Sequence, residues 1–307
     1  MYVTFYLTFS TIQNYLKNQG QKLQKFLKLL SDLNELVMFK HSIFSLPFIF
    51  IAMIVSAEGW FGWELFFLGI AAAVAARNFA MGFNRYVDID IDRENPRTAS
   101  RPSVDGRLNK KSIFLFTAIN AILFIMIAYI INDLAFWLSF PILVILGGYS
   151  LFKRFSSLAH LVLGVSLGLA PIAGVVAVKG EITLWSVLLA VGVMFWVAGF
   201  DLLYSLQDID FDKEKKLHSI PSKFGAKKTM LISRGFHLLA ILFWAGFAYA
   251  SGSGFFIYAA VVISAVILAF EHHIVSKDFT KIDRAFFTLN GYLGIIFLIF
   301  VILDEVF

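Results

Sequence analysis

Nine stretches of this chain are too apolar and too long to fold in water, and every other feature has to fit around them. They run at about 37–57, 62–83, 112–131, 134–152, 157–178, 182–204, 229–250, 254–271 and 286–303. A helix needs roughly 20 apolar residues to cross ~30 Å of hydrocarbon, where it satisfies its own backbone hydrogen bonds. The sequence therefore predicts an all-α integral membrane bundle of nine transmembrane helices. Joins as short as Asn132-Asp133 and Ser251-Gly252-Ser253 leave room only for antiparallel neighbours. Composition agrees: 59% of residues are hydrophobic and 15% charged, against about half and a quarter in a soluble domain. The absence of cysteine excludes disulfides, thiolate chemistry and Cys-ligated metals.

The basic residues are sided. Arg85, Arg93, Arg97, Arg101, Arg107, Lys110 and Lys111 follow the second run, and Lys153 and Arg154 the fourth. Lys213, Lys215, Lys216, Lys223, Lys227 and Lys228 follow the sixth, and Lys277, Lys281 and Arg284 the eighth. The alternate loops hold only Lys179. Lys and Arg collect in cytoplasmic loops, so the N terminus is expected inside and the C terminus outside. The net charge of +5 is then a topology signal, not the footprint of nucleic acid. Ahead of the bundle, residues 1–35 form a separate segment from the membrane domain, 36–307. Within it Leu16, Leu23, Phe26, Leu27 and Leu30 recur at helical spacing beside Lys17, Lys22, Lys25 and Lys28. That pattern predicts an amphipathic helix lying on membrane lipid at the cytoplasmic surface. No basic start precedes the apolar run Tyr2–Phe9, so no cleavable signal peptide is expected.

Two polar segments interrupt the apolar text, both on the predicted cytoplasmic side. One runs Asn84-Arg85-Tyr86-Val87-Asp88-Ile89-Asp90-Ile91-Asp92-Arg93, the other from Asp201 through Tyr204 and Asp208 to Asp210 and Asp212. Asp88 with Asp92, and Asp208 with Asp212, stand four apart and share a helix face. Asn84 and Tyr204 extend those faces by a turn, while Asp90 and Asp210 point off them. Carboxylates gathered in one pocket repel unless a cation sits among them. Oxygen donors without Cys or His select Mg²⁺ or Ca²⁺ over zinc. The Gly and terminal Glu of a calcium-binding EF-hand loop are missing. Arg97, Arg101, Lys153 and Arg154 in the same loops match a diphosphate.

The residues resemble a known family. Asn84-x3-Asp88-x3-Asp92 with Asn95-Pro96-Arg97-Thr98-x2-Arg101-Pro102 is similar to the first signature of the UbiA prenyltransferases. Asp201-x2-Tyr204-x3-Asp208-x3-Asp212, with Ser219-Ile220-Pro221 and Phe224-Gly225, resembles the second, and Tyr149-x3-Lys153-Arg154 the tyrosine and basic pair. The likeness spans about Leu36 to the C terminus. It implies nine helices around a central cavity, capped on the cytoplasmic side by the acidic loops. It also implies Mg²⁺-dependent transfer of a polyprenyl group from polyprenyl diphosphate to an aromatic acid. By that resemblance Asn84, Asp88, Asp92, Asp208 and Asp212 hold metal, and Arg97, Arg101, Lys153 and Arg154 bind the diphosphate. Asp201, Tyr204 and Tyr149 are the catalytic candidates, with Asp201 orienting or deprotonating the acceptor. Aromatic walls would shelter the developing allylic cation.

The chain departs from the family at Met38-Phe39-Lys40-His41-Ser42, where the usual basic residue is shifted, and at Arg85 in place of an Asp. Phe83-Asn84-Arg85 and Asn95-Pro96-Arg97-Thr98 look closest to members acting on 4-hydroxybenzoate, or on a dihydroxynaphthoate in the menaquinone branch. Arg77 and Asn78, inside the second run, are candidates for meeting the acceptor's carboxylate. His160 and His237 read as packing residues, and Gly164, Gly168 and Gly174 as sites of close helix approach. The competing class is an ion-coupled transporter. Its ions sit near the bilayer centre, whereas these carboxylates sit at span ends.

Overall fold

The computed structural model describes residues 2–38, 46–279, 282 and 285–307, with the side chains of 2–19, 285 and 286 left aside. Lys40, His41, Ser42, Lys281 and Arg284 lie outside the described residues. Every regular element among those described is a helix. In chain order they are α1 (Tyr2–Val37), α2 (Leu46–Ala57), α3 (Trp63–Val87), α4 (Ile89–Glu94), α5 (Lys110–Ile131), α6 (Asp133–Phe152), α7 (Ala159–Lys179), α8 (Leu184–Tyr204), α9 (Ile209–Glu214), α10 (Ile220–Ala250), α11 (Phe255–Lys277) and α12 (Asn290–Val306).

Among the described residues eight helices are long and apolar enough to cross a membrane. The expected crossing at 37–57 is represented by α2, which has 12 described residues. The amphipathic helix expected over 11–35 is part of the longer α1. The seventh crossing starts nine residues before its expected position at 229. Its start is set by Ser219 and Ser222, which cap each other's backbone, with Pro221 in the first turn. Gly225, at φ 74°, then breaks the helix line without ending it. Asn132 shows how short a membrane hairpin can be. It closes α5, caps α6 by accepting from the Ala135 amide at 2.8 Å, and donates to the Val176 carbonyl at 2.7 Å.

The long helices form two arcs that share α7. One runs α3–α5–α6–α7, the other α7–α8–α10–α11–α12–α2. In lipid there is little hydrophobic drive between helices, so close van der Waals packing carries the association. The α7 glycines supply it. A methyl group on Gly164 or Gly168 would run into the backbone carbonyl of Met194 or Ala190 on α8, and one on Gly174 into that of Ile49 on α2. The second arc is solid. Phe48, Trp196, Trp244, Phe247 and Phe297 interlock there and are fully buried. A polar chain threads the same core: Trp196 Nε1 donates to Asn290 Oδ1 at 2.7 Å, and Asn290 Nδ2 to Glu271 Oε1 at 2.8 Å.

The outer surface is apolar, and Trp60, Trp63, Tyr129, Trp137 and Tyr249 are all exposed near one set of helix ends. Such a ring of Trp and Tyr marks a membrane–water boundary. The other set of ends carries α4, α9 and the acidic segments.

The α7–α8 contact yields a test. Gly164→Ala is expected to cost about 1–3 kcal/mol, because a backbone oxygen cannot rotate out of the way. Gly235→Ala on α10, with open space around it, is expected to be neutral. Thermal unfolding of the two variants in detergent or nanodiscs measures the difference.

Candidate active site

The polar end is built by helices that stop early. α3 ends at Asp88, whose amide still bonds the Asn84 carbonyl at 3.0 Å, and α4 restarts at Ile89. α8 tightens into a 3₁₀ turn, Ser205–Asp208, before α9. The two breaks leave Asp88 and Asp208 at corners where their carboxylates face across the end of the bundle.

Four of these carboxylates meet protein cations. Asp88, 1% exposed, takes Lys153 Nζ at 2.7 Å, Arg154 Nη2 at 3.3 Å and the Asn84 amide at 2.8 Å. Asp92, equally buried, accepts from Arg101 Nη1 at 2.7 Å, with Arg85 Nη1 at 4.0 Å. Asp208 takes a bidentate grip from Arg97, through Nε at 3.0 Å and through Nη2, and accepts from Asn95 Nδ2 at 3.2 Å. Arg97 Nη1 also donates to the Tyr204 hydroxyl at 3.0 Å. Asp212 accepts from the Ser219 hydroxyl at 2.7 Å. Asp90 is exposed and pairs with Arg154 at 3.0 Å. Asp210 is exposed as well.

Burial pushes the Asp88 carboxyl above its usual range, with Lys153 pulling against it. The Arg154 hydrogen bond holds Asp90 below that range. Burial acts to depress Arg97, but its bonds to Asp208 overcome this and hold it above the usual arginine value. Protein cations pair with Asp88, Asp90, Asp92 and Asp208, while Asp212 is left with a hydroxyl donor.

No three carboxylate or imidazole groups among the described residues converge as a ready-made metal cage. The donor set nonetheless fits Mg²⁺, which takes one or two carboxylates and completes its shell with water and phosphate. Asp92 Oδ2 is buried and has no hydrogen-bond partner, so one oxygen stands uncommitted at the centre of the first acidic segment.

Beneath this polar end lies a cavity of about 200 Å³ between α2, α3, α5, α6 and α7. It exists because the facing residues are small: Gly69, Ala72, Ala73, Ala76 and Ala80 on α3, and Ala170, Ala173, Gly174 and Ala177 on α7. Among the described residues Arg77, Tyr149 and Ser166 bring polar side chains to its wall. Tyr149 is one turn from Lys153, so cavity and cations are continuous along α6. The expected aromatic lining is reduced to Phe124 and Tyr149. Small residues set the cavity's volume, and the large rings went to the solid arc and the lipid face.

Of the two acceptor candidates, only Arg77 reaches the cavity. Its Nη2 donates to the Val37 and Met38 carbonyls at 3.4 and 3.1 Å, while its Nε is buried with no hydrogen-bond partner. Asn78 faces α5 and bonds Asn120 Oδ1 at 3.1 Å. Asp201 sits one turn below Tyr204 and accepts from His160 Nδ1 at 2.7 Å.

Sequence reasoning missed three groups here. One is His160. Another is Asn95, whose Pro-Arg neighbours hid its bond to Asp208. The third is Arg107, which ties Glu35 and Asp32 of α1 to Asp105 and to the Ser100 carbonyl. A charge-reversed pair 72 residues apart leaves no local pattern to find. Arg107→Ala is expected to speed amide hydrogen exchange across 96–108 and the end of α1, leaving α5 protected. Exchange mass spectrometry reads this directly.

Comparison with known proteins places this geometry. Residues 45–299 match the model of the UbiA prenyltransferase family. A 4-hydroxybenzoate octaprenyltransferase of Albidiferax ferrireducens is 29% identical over 245 residues, covering 79% of this chain and 82% of that protein. The apo structure of a UbiA homologue from Aeropyrum pernix K1 aligns with a TM-score of 0.78 at 32% identity, over 86% of this chain and 98% of that one. A UbiA homologue from Archaeoglobus fulgidus, bound to GPP and Mg²⁺, shares the fold with a TM-score of 0.74 at 17% identity, over 90% of this chain and 100% of that one.

Proposed function

The chain belongs to the UbiA prenyltransferase family, and from that premise we propose that it moves a polyprenyl group from polyprenyl diphosphate to an aromatic acid in quinone synthesis. One observation carries the reading: a ring of paired Asp, Lys and Arg side chains stands one helical turn from an apolar cavity whose wall holds a single guanidinium, Arg77. That is a place for an anionic head, a greasy chain and an acid at once. The acceptor is 4-hydroxybenzoate, in line with the names of the curated relatives. A dihydroxynaphthoate is the second reading, favoured by the Phe83-Asn84-Arg85 and Asn95-Pro96-Arg97-Thr98 wording.

In this scheme Asn84, Asp88 and Asp92 hold one Mg²⁺, and Asp208 and Asp212 another. Magnesium, when bound, supplies Lewis-acid charge that stabilises the leaving diphosphate. Lys153, Arg154, Arg97 and Arg101 turn from their carboxylates to the diphosphate oxygens and hold the scissile carbon in place. The cavity excludes water from the allylic carbon as positive charge develops there, with the faces of Phe124 and Tyr149 beside it. Arg77 orients the acceptor through its carboxylate. The acidic end faces the cytoplasm together with the N terminus, and the C terminus lies outside. Residues 1–35 form the membrane-surface helix ahead of the catalytic domain, 36–307.

The test is turnover of labelled polyprenyl diphosphate by membranes holding the protein, with Mg²⁺ and each acid in turn. One prenylated product is expected. EDTA, Asp88→Ala or Asp208→Ala is expected to reduce it by at least about 10²-fold, the usual cost of losing a preorganised charge partner. Absence of product with either acid, from folded protein, overturns the acceptor reading. Arg77→Gln is expected to raise the acceptor's KM about tenfold or more, since charged hydrogen bonds are worth ~1.5–3 kcal/mol, and to leave the diphosphate KM in place. Steady-state kinetics in both substrates separates the two.

A further inference from the structure

We propose that His160 is the residue that takes the acceptor's proton, and that Asp201 is its positioning partner. This rests on the aromatic-acid reading above and names the base for it.

Asp201 alone is a poor choice of base in this geometry. Its Oδ2 is engaged at 2.7 Å by His160 Nδ1. In the neutral tautomer that donates Nδ1–H to this carboxylate, the ring's lone pair lies on Nε2. His160 is 7% exposed, and its Nε2 is buried with no hydrogen-bond partner. A buried acceptor atom left unpaired costs stability unless something else uses it. The pair thus has the base-and-orienter arrangement that activates a hydroxyl in other enzymes.

Its position serves the reaction. Leu163 and Leu167 on α7 line the cavity, and His160 stands three and seven residues before them on the same helix face. On α8, Asp201 is one turn from Tyr204, which accepts from the same Arg97 that grips Asp208. His160 and Asp201 therefore sit one turn from the Leu163 wall of the cavity on one side and one turn from Tyr204, held by Arg97, on the other.

The step balances as follows. The acceptor's hydroxyl proton passes to Nε2, and the hydroxyl oxygen's electrons move into the ring. The ortho carbon bonds to the allylic carbon while the C–O bond to diphosphate breaks and its electron pair leaves on oxygen. The ring then loses its own proton to water as Nε2 returns the first proton to oxygen. Net, one proton and diphosphate are released.

The test compares wild type, His160→Gln, His160→Ala and Asp201→Asn in nanodiscs, with 4-hydroxybenzoate and its more acidic 2,6-difluoro analogue. With 4-hydroxybenzoate, His160→Ala is expected to lower kcat by about 10²–10⁴-fold, the range for general base catalysis, with the diphosphate KM little changed. With the difluoro acid the deficit is expected to shrink about tenfold or more, because a hydroxyl that ionises by itself needs less help. Asp201→Asn is expected to follow the same trend. His160→Gln, which keeps a donor toward Asp201, is expected to retain the fold, read by thermal unfolding, and not the rate. Equal deficits with both acids, or an active His160→Gln, overturn the proposal. Wild-type turnover in the same assay establishes the acceptor independently, so such a result counts against His160 alone.

Discussion

The bidentate bond between Arg97 and Asp208 is the interaction on which the polar end depends. Arg97 belongs to the loop after α4 and Asp208 to the turn after α8, 111 residues apart. The two arcs of the bundle share only α7 and carry their acidic breaks on separate helices. The Arg97 grip, supported by Asn95 on the same carboxylate, joins the two breaks, and Lys215 adds a bond from the second to Glu94 on the first. The distance from Asp88 and Asp92 on one wall to Asp208 and Asp212 on the other is set by that grip.

Charge balance follows from the same pairing. Asp88, Asp90, Asp92, Asp208 and Asp212 stand among Arg85, Arg97, Arg101, Lys153 and Arg154, five of each sign. A site already neutral gains little from a bare polyanion, because each cation it turns toward the anion leaves a carboxylate unpaired. Under the proposed function, the countercharge that magnesium brings closes that gap. Asp88, Asp92 and Asp208, once released by Arg and Lys, would be the residues free to hold that magnesium. Burial sharpens the exchange. Asp88 is pushed up by burial, and Lys153 pulls it back down.

The sequence made the helices legible because membrane periodicity is strong and polar interruptions are few. Asn132, Ser219 and the α7 glycines follow rules of capping and close approach that are written locally. The acidic faces were legible too, since a four-residue step survives the breaks at Asp88 and Asp208. What was hidden depended on partners far along the chain. Aromatic content said nothing about which rings would line the cavity, and the rings went elsewhere. A lone His in an apolar helix reads as packing until an Asp on the next helix appears beside it. Arg77 and Asn78 are neighbours in sequence, but a helix turns them about 100° apart, and only one faces the cavity.

Arg77 also shows that the site reaches beyond the matched family region. That region begins at residue 45, yet the carbonyls holding Arg77 and Arg85 belong to Leu36, Val37 and Met38 at the end of α1. A helix C terminus carries about half a negative charge on such carbonyls, enough to steady a guanidinium within the membrane without fully neutralising it. Arg77 Nε remains unpaired on the same side chain. The guanidinium is thus anchored at one edge and keeps a buried, unsatisfied donor at another. Arg107 fastens the same stretch of α1 to the loop that carries Arg97 and Arg101. One helix end therefore steadies both Arg77 on the cavity wall and the loop that carries Arg97 and Arg101.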